Sequence, residues 1–383
     1  MHPERNTPKA RIERHDLPGL KAVSVVRPRY KEHFISAVPS ASGGATAMFL
    51  KVADFVRADR ARIVAQDSFG IPYQNGETLE PLVDALDGAR WPVTWLEPGS
   101  LAATGDTAAR VSGTVVWAVS GMKVEALERD GQLIGMIYED DLAEYCRLAG
   151  LLPEDLTASR ASQAREVLES MEKALHSIGW NFHDVVRTWF HNHDILGWYD
   201  EFNRTRNTFF KERGVFDRLV PASTGVGGIN PAGAALVGAT FAMRKKSDAV
   251  QVIALPSPLQ CPALEYGSSF SRAVEISRPD LRWILVSGTA SIAPEGPTAH
   301  VGNINGQITL TMEVVRAIFR SRGLGFADTS RSIAYFKHPE FAPAFDCYAT
   351  DQNLPPIPVI PSHSTVCRDD LLFEIEMDAL KAL

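Results

Sequence analysis

A segment of this chain occurs twice. Gln163 to Gly179, followed by Trp180, Asn181, Phe182, His183 and Asp184, returns 144 residues later as Gln307 to Gly323, followed by Leu324, Gly325, Phe326, Ala327 and Asp328. Gly179 meets Gly323, Phe182 meets Phe326, Asp184 meets Asp328 and Arg187 meets Arg331. Such self-similarity constrains the fold more than composition does, because each copy must be a whole supersecondary unit packed in the same way. Each copy opens with a helical pattern. In the second, Met312, Val315, Ile318 and Phe319 form one apolar stripe, and Gly323 suits the left-handed residue that closes a helix. A strand-like run follows in each, Val185 to Phe190 and Ser330 to Phe336. Upstream, Val115 to Gly121 parallels Trp283 to Gly288, both apolar and both ending in Ser-Gly. The order strand, hairpin, long helix, strand, helix, strand predicts an α+β fold with helices on one face of a mainly antiparallel or mixed sheet.

Two such units fit a chain of 383 residues. The polar stretch Met243 to Asp248 marks a boundary between them. The expected organisation is an N-terminal extension (1–40), a divergent first unit with an N-terminal elaboration (41–245), and a second unit (246–383). Apolar residues at 45% and charged residues at 22% exclude a disordered or collagen-like chain. A net charge of −7 argues against sequence-independent nucleic-acid binding. No apolar run reaches the roughly 20 residues that span a bilayer, and no apolar h-region follows the charged start. Cys146, Cys261, Cys347 and Cys367 make no Cys-x-x-Cys pair, so free thiols in a reducing cytosol are expected, with no metal and no cofactor.

The chain closes on a strand pattern, Leu371 to Glu376. Alternation puts Glu374 and Glu376 on one face and Phe373 and Ile375 on the other, so both acids can face a cleft. Among apolar neighbours a carboxyl is kept protonated, as a general acid requires. The same pattern also suits two exposed carboxylates on an edge strand. The corresponding end of the first copy, Ala234 to Phe241, holds no acid. Cys367, read alone, is the usual small buried hydrophobe, and Arg368 beside it points the opposite way if that stretch is a strand. Arg206 and Arg272 suit bidentate carboxylate binding, although Arg206 also reads as a surface residue and Arg272 as the partner of Glu275. Lys337 is a further candidate cation. Tyr199 and Tyr266 can hydrogen-bond substrate oxygens. His191 and His193 lack a third metal ligand, and Thr224 to Gly228 reads as a backbone nest near a carboxylate.

The second copy resembles the Rid (YjgF-like) proteins in Val286-Ser287-Gly288, in the helix from Gln307 ending at Gly323, in Asp328, and in the closing run from Cys367 to Glu376. Rid deaminases carry an arginine shortly upstream of that run, to hold a carboxylate; Pro358 to Val366 has none, which weakens an enamine or imine deaminase reading. Four further stretches resemble the chorismatase family: Leu196 to Arg206, Pro221 to Gly227, Tyr266 to Ala273 and Ser287 to Ala290. That resemblance implies two tandem Rid-like, chorismate-mutase-like units of which only the second is catalytic, acting on chorismate as a small-molecule substrate, as a monomer or a homotrimer. It implies Glu374 as the acid that protonates the enolpyruvyl group. It implies Arg206, Arg272, Tyr199, Tyr266 and Lys337 as substrate contacts. Gly288 together with Cys367 resembles the family members that form 3-hydroxybenzoate, some with 4-hydroxybenzoate, whereas those that release a dihydroxycyclohexadienoate tend to carry Ala at the cysteine position. A non-catalytic small-ligand module is the reading of a different class.

Overall fold

The computed structural model describes residues 9–40, 43–70, 78–97 and 111–383. Among these residues the chain forms three six-stranded sheets of one topology. The N-terminal sheet contains β1 (Arg11–Leu17), β2 (Leu20–Val26), β3 (Lys31–Ala37), β4 (Arg62–Phe69), β5 (Val93–Leu96) and β6 (Gly113–Ser120), with α1 (Gly44–Ala58) before β4 and α2 (Glu80–Ala85) after it. The middle sheet contains β7 (Val124–Arg129), β8 (Gln132–Glu139), β9 (Ala143–Leu151), β10 (Val185–Asn192), β11 (Ala222–Gly227) and β12 (Leu236–Lys245), with α3 (Arg160–Ser177) and α4 (Tyr199–Glu212). The C-terminal sheet contains β13 (Gln251–Leu255), β14 (Ala273–Ser277), β15 (Leu281–Ala290), β16 (Thr329–Phe336), β17 (Ile360–His363) and β18 (Phe373–Ala382), with α5 (Ile304–Arg320) and α6 (Ala342–Asp351). In each, the last strand in sequence lies between the third and the fourth, and the fifth pairs parallel at the edge.

The repeat is structural as expected. Asn303 caps α5 and Ser159 caps α3, each accepting from a backbone N–H in the first turn. Gly179 and Gly323 follow the helices with φ of 74° and 72°, where a side chain would be strained. The repeated glutamines have one task. Gln163 Oε1 accepts from Ala235 N at 2.8 Å and Gln307 Oε1 from Leu372 N at 2.8 Å, so each ties its helix to the start of the last strand. The apolar stripe of α5 is wholly buried.

Two expectations are corrected. The repeat runs to three units: the segment read as an extension and an elaboration carries the N-terminal sheet. The two Ser-Gly strands are not equivalent. Val115 to Ser120 lies in β6, which occupies the place of β18, whereas the counterpart of β15 is β9. Both are central apolar strands, and burial on two faces leaves little pattern to tell them apart.

The three sheets close on one another: β5 lies against β9, β11 against β15 and β17 against β6. Phe34, Trp117, Phe241 and Trp283 meet between the sheets with ring centroids 4.9–5.5 Å apart. At one end, hairpins of all three sheets join through buried ion pairs, Arg27 to Asp280 (2.6 Å) and Arg278 to Asp140 (2.6 Å). None of the helices among the described residues is long and apolar enough to cross a membrane.

Candidate active site

A cavity of about 490 Å³ opens between the middle and C-terminal sheets. The N-terminal half of α4 and the strand β11 supply one wall, with Tyr199, Asn203, Arg206, Ser223 and Gly225; the segment before β14, β15, β18 and the loop before β18 supply the other, with Ser268, Arg272, Gly288, Cys367, Arg368 and Glu374. The walls are stitched by Ser223 N donating to Ser287 Oγ (2.9 Å) and by Ser271 N donating to Pro221 O (3.0 Å).

Glu374 is 4% exposed. Burial pushes its carboxyl up, the carboxylate of Glu376 pushes it further, and Arg187 and Arg272 draw it part of the way back, to about 8. At neutral pH its surroundings favour the protonated form. Glu376 shares that face of β18 but is absent from the cavity wall. It is fully buried and takes hydrogen bonds from Arg331 (2.6 Å), Arg187 (3.1 Å), Trp189 Nε1 (3.1 Å) and Thr224 Oγ1. Burial alone would raise it; Arg331 and Arg187 outweigh burial, with help from Thr224, and hold it at about 2. Two acids on one strand face are thus pushed apart, one kept neutral and one kept charged.

Arg206 is buried, with Nη2 donating to Asn203 Oδ1 at 2.8 Å and its guanidinium 5.1 Å from the centroid of Phe202. Arg272 is also buried, and its Nε and Nη2 both donate to Cys261 O, at 3.0 and 2.8 Å. It is not the partner of Glu275, which pairs with Arg282 and Arg322 instead. The stretch is an extended strand entry, so residues three apart do not meet. Cys367 lies in a bend rather than a strand, so it and Arg368 both reach the cavity. Burial of its sulfur pushes the thiol up to about 12, the nearby Glu374 adds to this, and Arg368 and a hydrogen bond with Tyr199 offset it in part.

Gly288 faces the acid directly. A Cβ there would overlap Glu374 Oε1 and crowd Thr224 Cγ2 at 3.2 Å. The missing side chain therefore makes room for the carboxyl itself, a closer contact than space for a substrate ring. Lys337 is not part of the cavity wall; its Nζ donates to Asp369 Oδ1 at 2.8 Å. It follows the end of β16 and turns toward the loop before β18. The Tyr266 side chain lies outside the described residues. Thr224 to Gly228 is no nest: its first residues continue β11, and Thr224 Oγ1 is committed to Glu376. Asn203, Ser223 and Ser268 were not singled out from the sequence, although each falls within a stretch that carries the chorismatase resemblance. Among the described residues no three His, Cys, Asp or Glu side chains gather to hold a metal.

No protein-family model matches the chain. A 3-hydroxybenzoate synthase from Streptomyces hygroscopicus is 28% identical over 289 residues, which cover 68% of this chain and 79% of that protein. The crystal structure of a chorismatase matches with a TM-score of 0.60 and 18% identity, covering 91% of this chain and 98% of its own. A Rid-family protein from Yersinia pestis matches 34% of this chain and 98% of its own, at 15% identity and a TM-score of 0.29. The chain thus has the chorismatase fold and is similar in sequence to a 3-hydroxybenzoate synthase, in line with its residue patterns.

Proposed function

We propose that the protein cleaves chorismate to 3-hydroxybenzoate and pyruvate. The observation that carries this reading is Glu374, a carboxyl buried in the wall of a cavity that also presents Arg206 and Arg272. Chorismate is a dianion, and two arginines set on opposite walls suit its two carboxylates. The acid then faces the enol ether. Glu374 gives its proton to the enolpyruvyl methylene carbon, which creates an oxocarbenium-like centre. The C3–O bond breaks, and its electron pair completes the carbonyl of pyruvate. The C4 hydroxyl oxygen bonds to C3 and its proton returns to Glu374, leaving an arene-oxide-like ring. Opening of the C4–O bond and loss of the C3 proton give the aromatic acid. Chorismate is isomeric with 3-hydroxybenzoate plus pyruvate, so no water is consumed.

The part assigned to Cys367 changes with its surroundings. A thiol held near 12 is not an attacking thiolate at neutral pH. It supports ring opening as a neutral S–H oriented by Tyr199. Gly288 acts through the acid: without a Cβ in the way, the Glu374 carboxyl lies against the backbone on the cavity side.

The test is to supply chorismate, couple pyruvate release to lactate dehydrogenase, and separate the aromatic products by chromatography. Equal yields of pyruvate and 3-hydroxybenzoate are expected, and any 4-hydroxybenzoate is resolved in the same run. No pyruvate from chorismate would reject the reading. In Cys367→Ala, pyruvate release should persist while a dihydroxycyclohexadienoate, formed by capture of water, accompanies or replaces the aromatic acid. Undiminished 3-hydroxybenzoate as sole product would make the thiol a packing residue.

A further inference from the structure

A buried group of polar side chains lies directly behind the acid and is not used by the chemistry above. Thr224 is at its centre. Its Oγ1 donates to Glu376 and accepts from Arg187 Nη2 (2.9 Å) and from Gly288 N (3.1 Å), which uses the full capacity of a hydroxyl. Arg187 also donates to Val286 O and to Glu376 Oε2 (3.1 Å). Arg331 bridges Glu376 Oε1 (2.6 Å) and Asp378 Oδ2 (2.9 Å). The group spans two sheets: Arg187, Trp189 and Thr224 come from the middle one, and Glu376, Arg331 and the Gly288 amide from the C-terminal one.

We propose that Glu376 is a positioning residue: fixed as a carboxylate by Arg187, Arg331, Trp189 and Thr224, it keeps the proton on Glu374 and holds the Gly288 backbone against which that carboxyl lies. The inference rests on Glu374 being the acid. Three observations support it. Burying a carboxylate with two guanidiniums is costly, and apolar residues of similar volume often serve the fold as well. The same strand position in the other two sheets is apolar. Glu376 stands opposite Ile333, and its counterparts are Ala239 opposite Trp189 and Val115 opposite Asp67. At this position of the last strand a carboxylate thus occurs in the sheet that carries the acid. Finally, both oxygens of Glu376 accept hydrogen bonds, Oε1 from Arg331 and Trp189 and Oε2 from Arg187, Trp189 and Thr224, which leaves no place for a proton, and the Thr224 hydroxyl that donates there also receives the Gly288 amide.

The groups that face Glu374 are Glu376 on its own strand, Arg187 from β10, Arg272 at the entry to β14, Tyr335 from β16 and Cys367 from the loop before β18. Those that face Glu376 further include Arg331, His191 and Asp67. Of these, the Glu376 charge raises Glu374 most after burial itself. Its removal lowers the acid's titration point, and the alkaline fall in turnover moves to lower pH.

The experiment uses the full chain. Pyruvate release is followed against pH for the parent, Glu376→Gln and Glu376→Asp. In parallel, the protonated-carboxyl infrared band that disappears in Glu374→Gln is titrated without substrate. The parent band should vanish near pH 8, and in Glu376→Gln it should vanish about one pH unit or more lower. Glu376→Asp, which keeps the charge, should return toward the parent. The alkaline limb of kcat/KM should move with the band. Should Glu376→Gln not fold, Glu376→Gln with Arg187→Gln leaves no orphaned cation and should shift in the same direction by less. A folded variant whose band titrates as in the parent overturns the proposal, whereas a purely structural role would lower melting temperature without moving the band. The infrared titration needs no substrate, so it stands or falls apart from the identity of the substrate.

Discussion

The molecule has three clefts between like sheets, and among the described residues one of them opens into a cavity lined by a buried glutamate. At the middle to C-terminal cleft the residue paired with Tyr335 is Glu374. Its counterparts are Val237, paired with His191, and Gly113, paired with Phe69. Shared geometry persists around this difference. Gly150 N donates to Thr94 Oγ1 at 3.1 Å in one closed cleft, just as Gly288 N donates to Thr224 Oγ1 at 3.1 Å in the open one. The filling differs. Phe69, Leu96, Val115, Val226, Val237, Ile333, Tyr335 and Ile360 pack as one buried apolar cluster across the other two clefts. At Gly113 the space a side chain would take is already filled by Ile360, whose Cγ2 lies 2.8 Å from an added Cβ. The comparison separates what the scaffold needs from what the chemistry needs. The scaffold needs strand pairing, and either an apolar plug or a charged cavity completes it; the backbone-to-threonine bond is dispensable, since Ile360 takes the place of Thr94 and Thr224 in the third cleft.

The largest effect should come from the acid. Glu374→Gln keeps the shape and removes the proton, so turnover should fall about 10²–10⁴-fold while the melting temperature holds or rises. Pyruvate release at the parental rate would remove Glu374 from the chemistry. The accompanying pH effect has a definite sign. The acid works when protonated, so parent activity should hold below pH 8 and fall as pH rises through about 8. Stability follows a wider window: a carboxyl raised in the folded state contributes fully below its ordinary value of 4.5, and that contribution is lost progressively from there until the pH passes about 8. Glu374→Gln should thus gain on the parent in alkaline melts.

Next comes the plug. Ile360→Ala empties a closed cleft and should cost about 2–5 kcal/mol in denaturant unfolding, with KM for chorismate kept. A large change in KM would mean that the closed clefts communicate with the open one. Arg206→Ala and Arg272→Ala should each raise KM or lower kcat/KM by roughly 10- to 150-fold, the loss of one charge-assisted pair. An unchanged constant for either would take that arginine out of substrate binding. The smallest effect belongs to Lys337→Ala, which breaks an exposed pair with Asp369 and should leave kinetics within about twofold. A loss comparable to that of the arginines would show that the lysine enters the cavity when substrate binds.

Much of this was legible in the sequence, for reasons the structure makes plain. The repeat from Gln163 and Gln307 was visible because those glutamines, the glycines at 179 and 323, and the arginines at 187 and 331 each do a specific job in both copies. The N-terminal unit keeps the fold without those residues; the left-handed position after α1, for instance, is taken by Arg60. Its strand β4 has Ala65 where β10 and β16 have Arg187 and Arg331 after the same bulge, so only apolar alternation was left to betray it. Glu374 and Glu376 could be put on one face but not told apart, because what distinguishes them is Arg187, Trp189 and Thr224, nearly 190 residues earlier in the case of Arg187. Arg368 was set aside by assuming that a strand began before it did. Strand alternation is a sound rule only where the strand has begun.

The closing of three sheets within one chain has a consequence for how the protein comes together. Residues 121–123 and 246–250 are the whole of the links between sheets, so each sheet meets the next at an effective concentration on the order of millimolar, whatever the amount of protein in solution. Ring closure is a first-order event. A ring of identical subunits must place every mutation in all three clefts at once; here a substitution enters one cleft alone, and an ionisable cavity on one side coexists with two apolar seams that hold the ring shut.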